Sequence, residues 1–239
     1  MVEQHPVLVK MRELIEAWEL ENDRRLIFLT CYLMMTQNVL LAIDTGEFED
    51  GEWVARLMET FASHYFKALD AYQDQVPTTP QVWKIAFNAV KNSHVNSLQN
   101  MVLGVNAHIN YDLVLALSEV LEREWAELTP EGRQIRYRDH NRVNHVIHQT
   151  IDAVQDQVIG RYDPEFSVLD KLVGPLDEWM TTLLISDWRE EVWRHATSLL
   201  NEPDSTSRQG IMHQVEKISL DRARDILGEI NLSTLLDFI

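Results

Sequence analysis

The sequence predicts an all-α protein: one domain over residues 1–239, seven or eight helices, and a buried central helix pair. Three observations predict it. Only 8 glycines and 7 prolines punctuate 239 residues, too few for the tight turns of an all-β chain. No stretch alternates apolar and polar residues for long enough to build a sheet. Apolar residues instead recur at three- and four-residue spacing between breaks that carry helix-start signals. The length suits one large core.

The elements follow from those breaks. Pro6 is a first-turn residue, and Val7, Leu8, Met11, Leu14, Ile15 and Trp18 make one stripe. A second helix covers about 24–44 and stops near Gly46. A third runs over 51–73 with the stripe Trp53, Val54, Leu57, Phe61, Tyr65, Ala68 and Leu69. "VPTTPQVW" breaks and restarts the chain, with Thr79 as cap and Pro80 as first helical residue. Helix then extends to about Leu128, with a break near Asn92 or Gly104. "LTPEGR" repeats the cap-then-proline device and opens a helix to about Ile159. "GRYDPEFS" reads as a loop, "GPLDEW" as the start of a helix lasting to about Asn201, and "NEPDSTSRQG" as the most linker-like stretch before helix resumes.

Composition narrows the partners. The 38 acidic and 21 basic residues give a net charge of −17, and no Lys/Arg stripe offers a face to phosphate. Nucleic acid and anionic membrane surfaces are therefore not expected. Cys31 is the single cysteine and sits in an apolar run, so it reads as an inert buried thiol. Residues 26–43 carry no charge and reach membrane-span length. Thr30, Thr36, Gln37 and Asn38 interrupt them, which favours the core helix of a water-soluble protein. The amino-terminal residues show helical periodicity rather than a signal peptide, so the expected location is cytoplasmic. The oligomeric state is not legible.

The unusual chemistry lies in "VLGVNAHINYDLVLAL", residues 102–117. At 100° per residue its apolar side chains fall on every side, as in a buried helix. Yet His108, Tyr111 and Asp112 share one side, and Asn106 and Asn110 form a second i,i+4 pair roughly opposite. An unpaired buried amide costs about 1–3 kcal/mol, and a lone carboxylate several more. These groups must meet partner side chains, a metal, water or a ligand.

The helix "RYRDHNRVNHVIHQTIDAVQDQVI" passes the same test. Its apolar face holds Val143, Val146, Ile147, Thr150, Ile151 and Val154. Arg136 and Asp139 share that face as an inward ion pair, with Asn144 at its edge. His148 and Asp152 repeat the His-x-x-x-Asp spacing but project outward with His145, so His140, His145 and His148 read as polar surface. There is no HExxH, no paired CxxC, no phosphate-cradling glycine loop and no G-x-S-x-G. The Glu-x-x-His spacing of di-iron bundles is absent.

The segment "LGVNAHINYDLVLAL" resembles the signature of a family of all-helical bacterial and fungal proteins classed as a domain of unknown function. "NDRRLIFLTCYLMMT", "FASHYFKAL", "PQVWKIAF", "RDHNRVN" and "WREEVWRHATSLL" are similar to other parts of that family, in the same order. The resemblance covers nearly the whole chain and implies one domain and a site location, but no reaction. His145 and His148 do not look like family positions. A remoter resemblance is to zinc phospholipase C and nucleases of the P1 type, helical proteins with His-x-x-x-Asp ligands. This chain lacks their amino-terminal Trp ligand and their Asp-x-x-x-Pro-x-His continuation.

The expected function is an intracellular enzyme doing acid–base chemistry on a small, largely apolar molecule between helices. His108 would be the acid or base, Asp112 would orient it, and Asp139 would be a second carboxylate. Asn106, Asn110 and Tyr111 would bind the ligand, with Tyr32 or Asn144 facing the same cavity. No cofactor is required by this reading. A divalent metal on His108 and Asp112, with further ligands unidentified, is the hydrolase variant. The other class is a non-enzymatic helical binding protein in which the same polar groups are structural locks.

Overall fold

The structure, a computed structural model, describes residues 2–154, 157, 158, 161 and 185–229. A short 3-10 turn at Val2–Gln4 leads into α1 (Pro6–Glu21), α2 (Arg25–Asp44), α3 (Gly51–Gln73) and α4 (Gln81–Ala89). After these come α5 (Ser97–Glu122), α6 (Pro130–Val154), α7 (Ser186–Asn201) and α8 (Ser205–Glu229). The described residues thus hold eight helices and no strand.

Local chemistry sets most of the boundaries. His5 Nδ1 accepts from Val7 N at 3.4 Å just ahead of Pro6. Asn22 ends α1 in the left-handed region at φ 55°, which asparagine tolerates. Asp50 caps α3 through Trp53 N at 2.9 Å. Asn96 and Gln99 form a reciprocal capping box on α5. Thr129 Oγ1 accepts from Gly132 N at 3.1 Å, so "LTPEGR" starts α6 as its sequence predicts.

Two boundaries differ from expectation, and a third falls at one of its two expected positions. Thr79 turns its hydroxyl back to Val76 O at 2.7 Å, and Pro80 occupies the cap position. The helical stretch before Leu128 does break around Asn92, between α4 and α5, but it runs on through Gly104. "NEPDSTSRQG" is no linker: Asp204 caps Ser207 N at 2.7 Å, and only residues 202–204 separate α7 from α8. The expected loop "GRYDPEFS", the start of the "GPLDEW" helix, the end of α6 near Ile159 and the chain beyond 229 lie outside the described residues.

One continuous apolar core runs from Leu8 on α1 to Ile226 on α8, which makes the chain a single all-α globule. Its centre is α5, packed against α2, α3, α4, α7 and α8. The two helices that are apolar on all sides, α2 and α5, pack on each other, whereas α6 lies against α2 and α7. Both α2 and α5 are long and apolar enough to cross a membrane by length and composition. In the structure 56% and 78% of those windows are buried within the protein.

Gly104 sets the spacing of α2 against α5. A Cβ built there would lie 2.8 Å from Phe28 Cβ and overlap the Phe28 ring. Because Phe28 is itself fixed in the core, Gly104→Ala is expected to cost about 1–3 kcal/mol. Urea denaturation measures this, and an unchanged midpoint would show that the two helices are free to separate.

Candidate functional site

Between its α-helical stretches Ser97–Ala107 and Leu113–Glu122, α5 is wound as a π-helix over His108–Asp112. Such turns are rare and occur often at functional sites. This one contains the polar centre of the "NAHINYD" run. His108 is 3% exposed and Asp112 1%, and His108 Nδ1 lies 3.0 Å from Asp112 Oδ2. Trp83 of α4 points its indole N–H at the same carboxyl, with Nε1 3.1 Å from Oδ1 and 3.0 Å from Oδ2.

Aromatic rings enclose the imidazole. Phe61 stacks on it with centroids 3.5 Å apart and planes at 7°. Tyr32 meets it edge-on at 4.3 Å, and Phe28, Tyr65 and Trp83 complete the shell at about 6 Å. Within this shell His108 Nε2, Tyr32 Oη and Tyr65 Oη are buried and have no hydrogen-bond partner. Each such atom costs about 1–3 kcal/mol.

Burial pushes both members of the pair toward neutrality. It lowers the His108 pKa well below 6.5, helped by the nearby His64 charge. It raises Asp112 well above 3.8 against the opposing pull of the Trp83 hydrogen bond. Two neutral groups this close share a hydrogen bond in which the carboxyl O–H donates to Nδ1, leaving the imidazole proton on Nε2. Burial likewise raises the Tyr32 hydroxyl well above its ordinary range and holds it protonated.

The other residues singled out in the sequence divide among separate places. Asn106 and Asn110 form a lock: Asn110 Nδ2 donates to Asn106 Oδ1 at 2.9 Å, and Asn106 Nδ2 to Ser219 O on α8 at 2.9 Å. Arg222 completes it, donating to Asn110 Oδ1 at 2.8 Å and to Glu191 at 2.6 Å. Tyr111 lies half-buried on the π turn, with burial raising its pKa.

Asp139, 2% exposed, is not a second carboxylate beside His108. Its two oxygens accept from Glu49 N and Asp50 N, both at 2.8 Å, ahead of α3. Asp50 lies eleven residues from Phe61 on the same helix, roughly 16 Å at 1.5 Å per residue. Nor does Asp139 pair with Arg136, which binds Asp50 at 2.7 Å and Glu124 at 2.7 Å.

Asn144 does not face the His108 shell either, because its Oδ1 accepts from Arg189 Nε at 2.5 Å. His140 corrects the surface expectation: it is fully buried, with Nε2 3.0 Å from Arg189 O, while Arg189 Nη2 donates to His140 O at 2.6 Å. His145 and His148 are exposed as expected, and the Asp152 side chain lies outside the described residues.

The metal-hydrolase variant does not fit the residues present. Among the described residues no three His, Cys, Asp or Glu side chains are grouped to hold a metal ion. His108 and Asp112 face each other rather than a common point.

Sequence reasoning missed Trp83, Phe28, Phe61 and Tyr65 as parts of this site, and Arg189 and Arg222 as partners of the other clusters. A signal was present: Phe28/Tyr32 and Phe61/Tyr65 are i,i+4 aromatic pairs on inward stripes. Apolar periodicity alone reads these as core.

Fold and site together define an all-α globule that seals a histidine–carboxyl pair inside an aromatic shell at a π turn. The chain belongs to the family of unknown function DUF5995, whose model matches residues 5–229. Neither the curated proteins nor the solved structures contain a match to it.

The pair has a definite pH signature. The raised Asp112 contributes stability that is lost as pH rises above 3.8, and the lowered His108 contributes stability that is lost as pH falls below 6.5. Between those values the two slopes oppose each other, because the pair is net neutral folded and unfolded. Asp112→Asn removes one arm. The variant is expected to lose about 1.4 kcal/mol more than wild type for each pH unit below 6.5. Denaturation at pH 6.5, 5.5 and 4.5 measures this, and parallel curves would contradict a neutral buried pair.

Proposed function

We propose that the protein is an intracellular enzyme that moves a proton to or from a small, largely apolar molecule held against His108. The observation that carries this reading is the unpartnered Nε2 of a fully enclosed imidazole whose Nδ1 is occupied by Asp112. Nε2–H donates to the substrate while the Asp112 proton passes to Nδ1, and Trp83 Nε1 steadies the carboxylate left behind. The reverse movement makes the same pair a base. Tyr32 and Tyr65, whose hydroxyls have no protein partner, supply hydrogen bonds to a substrate oxygen.

The shell is closed: His108 is 3% exposed, and its Nε2 and the Tyr32 and Tyr65 hydroxyls are buried. Phe61 is the stacked ring that retains some exposure, so entry requires it to swing away. Asn106, Asn110, Asn144 and Asp139 play no part in this mechanism, since their polar groups are engaged by other parts of the protein.

A second reading is favoured by the Trp83 bond alone: the pair simply fastens α4 to α5. The two differ in a direct assay. A panel of small carbonyl compounds in deuterated buffer reports proton exchange at carbon by NMR. Wild type is expected to accelerate exchange in at least one compound, and His108→Gln to lose about 10²-fold or more of it while folded. Tyr32→Phe should lose less, about tenfold, the order of one hydrogen bond. Full exchange by folded His108→Gln, or none by wild type, would leave the fastening role.

A further inference from the structure

A cavity between α6 and α7 shares no residue with the His108 shell. It has a volume of about 540 Å³, and Arg133 of α6 and Glu190 of α7 stand in its wall with Trp125, Tyr137, Trp193 and Leu128. That size accommodates a small organic ligand. Each charged group is held in place by a neighbour. The Arg133 guanidinium lies 4.4 Å from the Trp125 ring centroid, and its Nη2 donates to Trp125 O at 2.9 Å. Glu190 Oε2 accepts from Tyr137 Oη at 2.8 Å.

Arg133 and Glu190 form no ion pair with each other, and neither has an ion-pair partner elsewhere among the described residues. The contrast with their surroundings is sharp. On the same helix as Arg133, Arg136 binds Glu124 and Asp50, and Arg138 binds Glu49 and Glu131. One cavity therefore displays a fixed cation and a fixed anion on different helices, neither in an ion pair among the described residues, with the apolar Trp193 and Leu128 in the same lining.

A ligand with net charge would be attracted by one of these groups and repelled by the other. A molecule carrying both an anion and a cation satisfies both, through charge-assisted hydrogen bonds at each end. We propose that this cavity binds a small zwitterion with an apolar body, of the α-amino-acid type. Its carboxylate sits on Arg133, its ammonium on Glu190 and its side chain against Trp193.

Calorimetric titration of the whole protein with three probes tests this: L-phenylalanine, phenylacetate, which lacks the ammonium, and phenethylamine, which lacks the carboxylate. L-Phenylalanine should bind saturably, and each half-molecule at least about tenfold more weakly. Arg133→Gln should weaken L-phenylalanine by about tenfold while strengthening phenethylamine, whose repulsion it removes, and Glu190→Gln should weaken L-phenylalanine while strengthening phenylacetate. No saturable L-phenylalanine binding up to about 10 mM overturns the proposal, as does binding of phenylacetate equal to that of the amino acid. The comparison of the three probes on wild type stands even if a variant fails to fold.

Discussion

From Ser97 to Asp112 helix α5 is buried at all but two positions, and it nevertheless carries a histidine, a carboxyl and two amides there. Much of the rest of the structure answers that constraint. An amide or an acid removed from solvent must find partners or remain neutral, because the alternative costs more than a typical side-chain contact returns. The neighbouring helices are arranged to meet that demand. On one side α8 offers the Ser219 carbonyl and Arg222 to Asn106 and Asn110. On the other, α4 brings the Trp83 N–H to Asp112, and α2 and α3 wrap the imidazole in rings.

The two polar pairs receive unequal treatment. The asparagine pair is joined into a chain of hydrogen bonds that ends at Glu191, as expected of a fastening between helices. The histidine pair is served on the carboxyl side only. Its outer nitrogen and two tyrosine hydroxyls remain unpartnered in the same enclosure. Stability alone gives no reason to keep three such atoms together, since apolar residues of similar shape would pack there at lower cost. That asymmetry separates a candidate site from a lock within one helix.

Much of this was legible in the sequence. Apolar periodicity together with proline and cap signals located most of the helices, because those signals act within a few residues. The identity of α5 as a buried helix, and the pairing of His108 with Asp112, followed from the angle between successive residues. Partnerships across the fold did not. Arg136 and Asp139 share a helical face and read as a pair, yet each is taken by residues about ninety positions away, near the start of α3. His140 read as surface because its neighbours His145 and His148 are exposed; its burial depends on Arg189, 49 residues on. The segments that carry the family resemblance meet in space as two clusters. "NDRRLIFLTCYLMMT", "FASHYFKAL" and "PQVWKIAF" surround His108, while "RDHNRVN" and "WREEVWRHATSLL" bring His140, Asn144 and Arg189 together.

The central claim is that the fold holds the His108 imidazole uncharged, with its proton on the outward nitrogen and Asp112 behind it. Nitrogen-15 NMR of histidine-labelled protein reads this directly between pH 5 and 8. The account predicts one imidazole, absent from His108→Gln, that does not titrate over this range and shows a protonated Nε2 and an accepting Nδ1. An imidazole at that position with both nitrogens protonated near neutral pH, or one titrating at its ordinary value near 6.5, would contradict it.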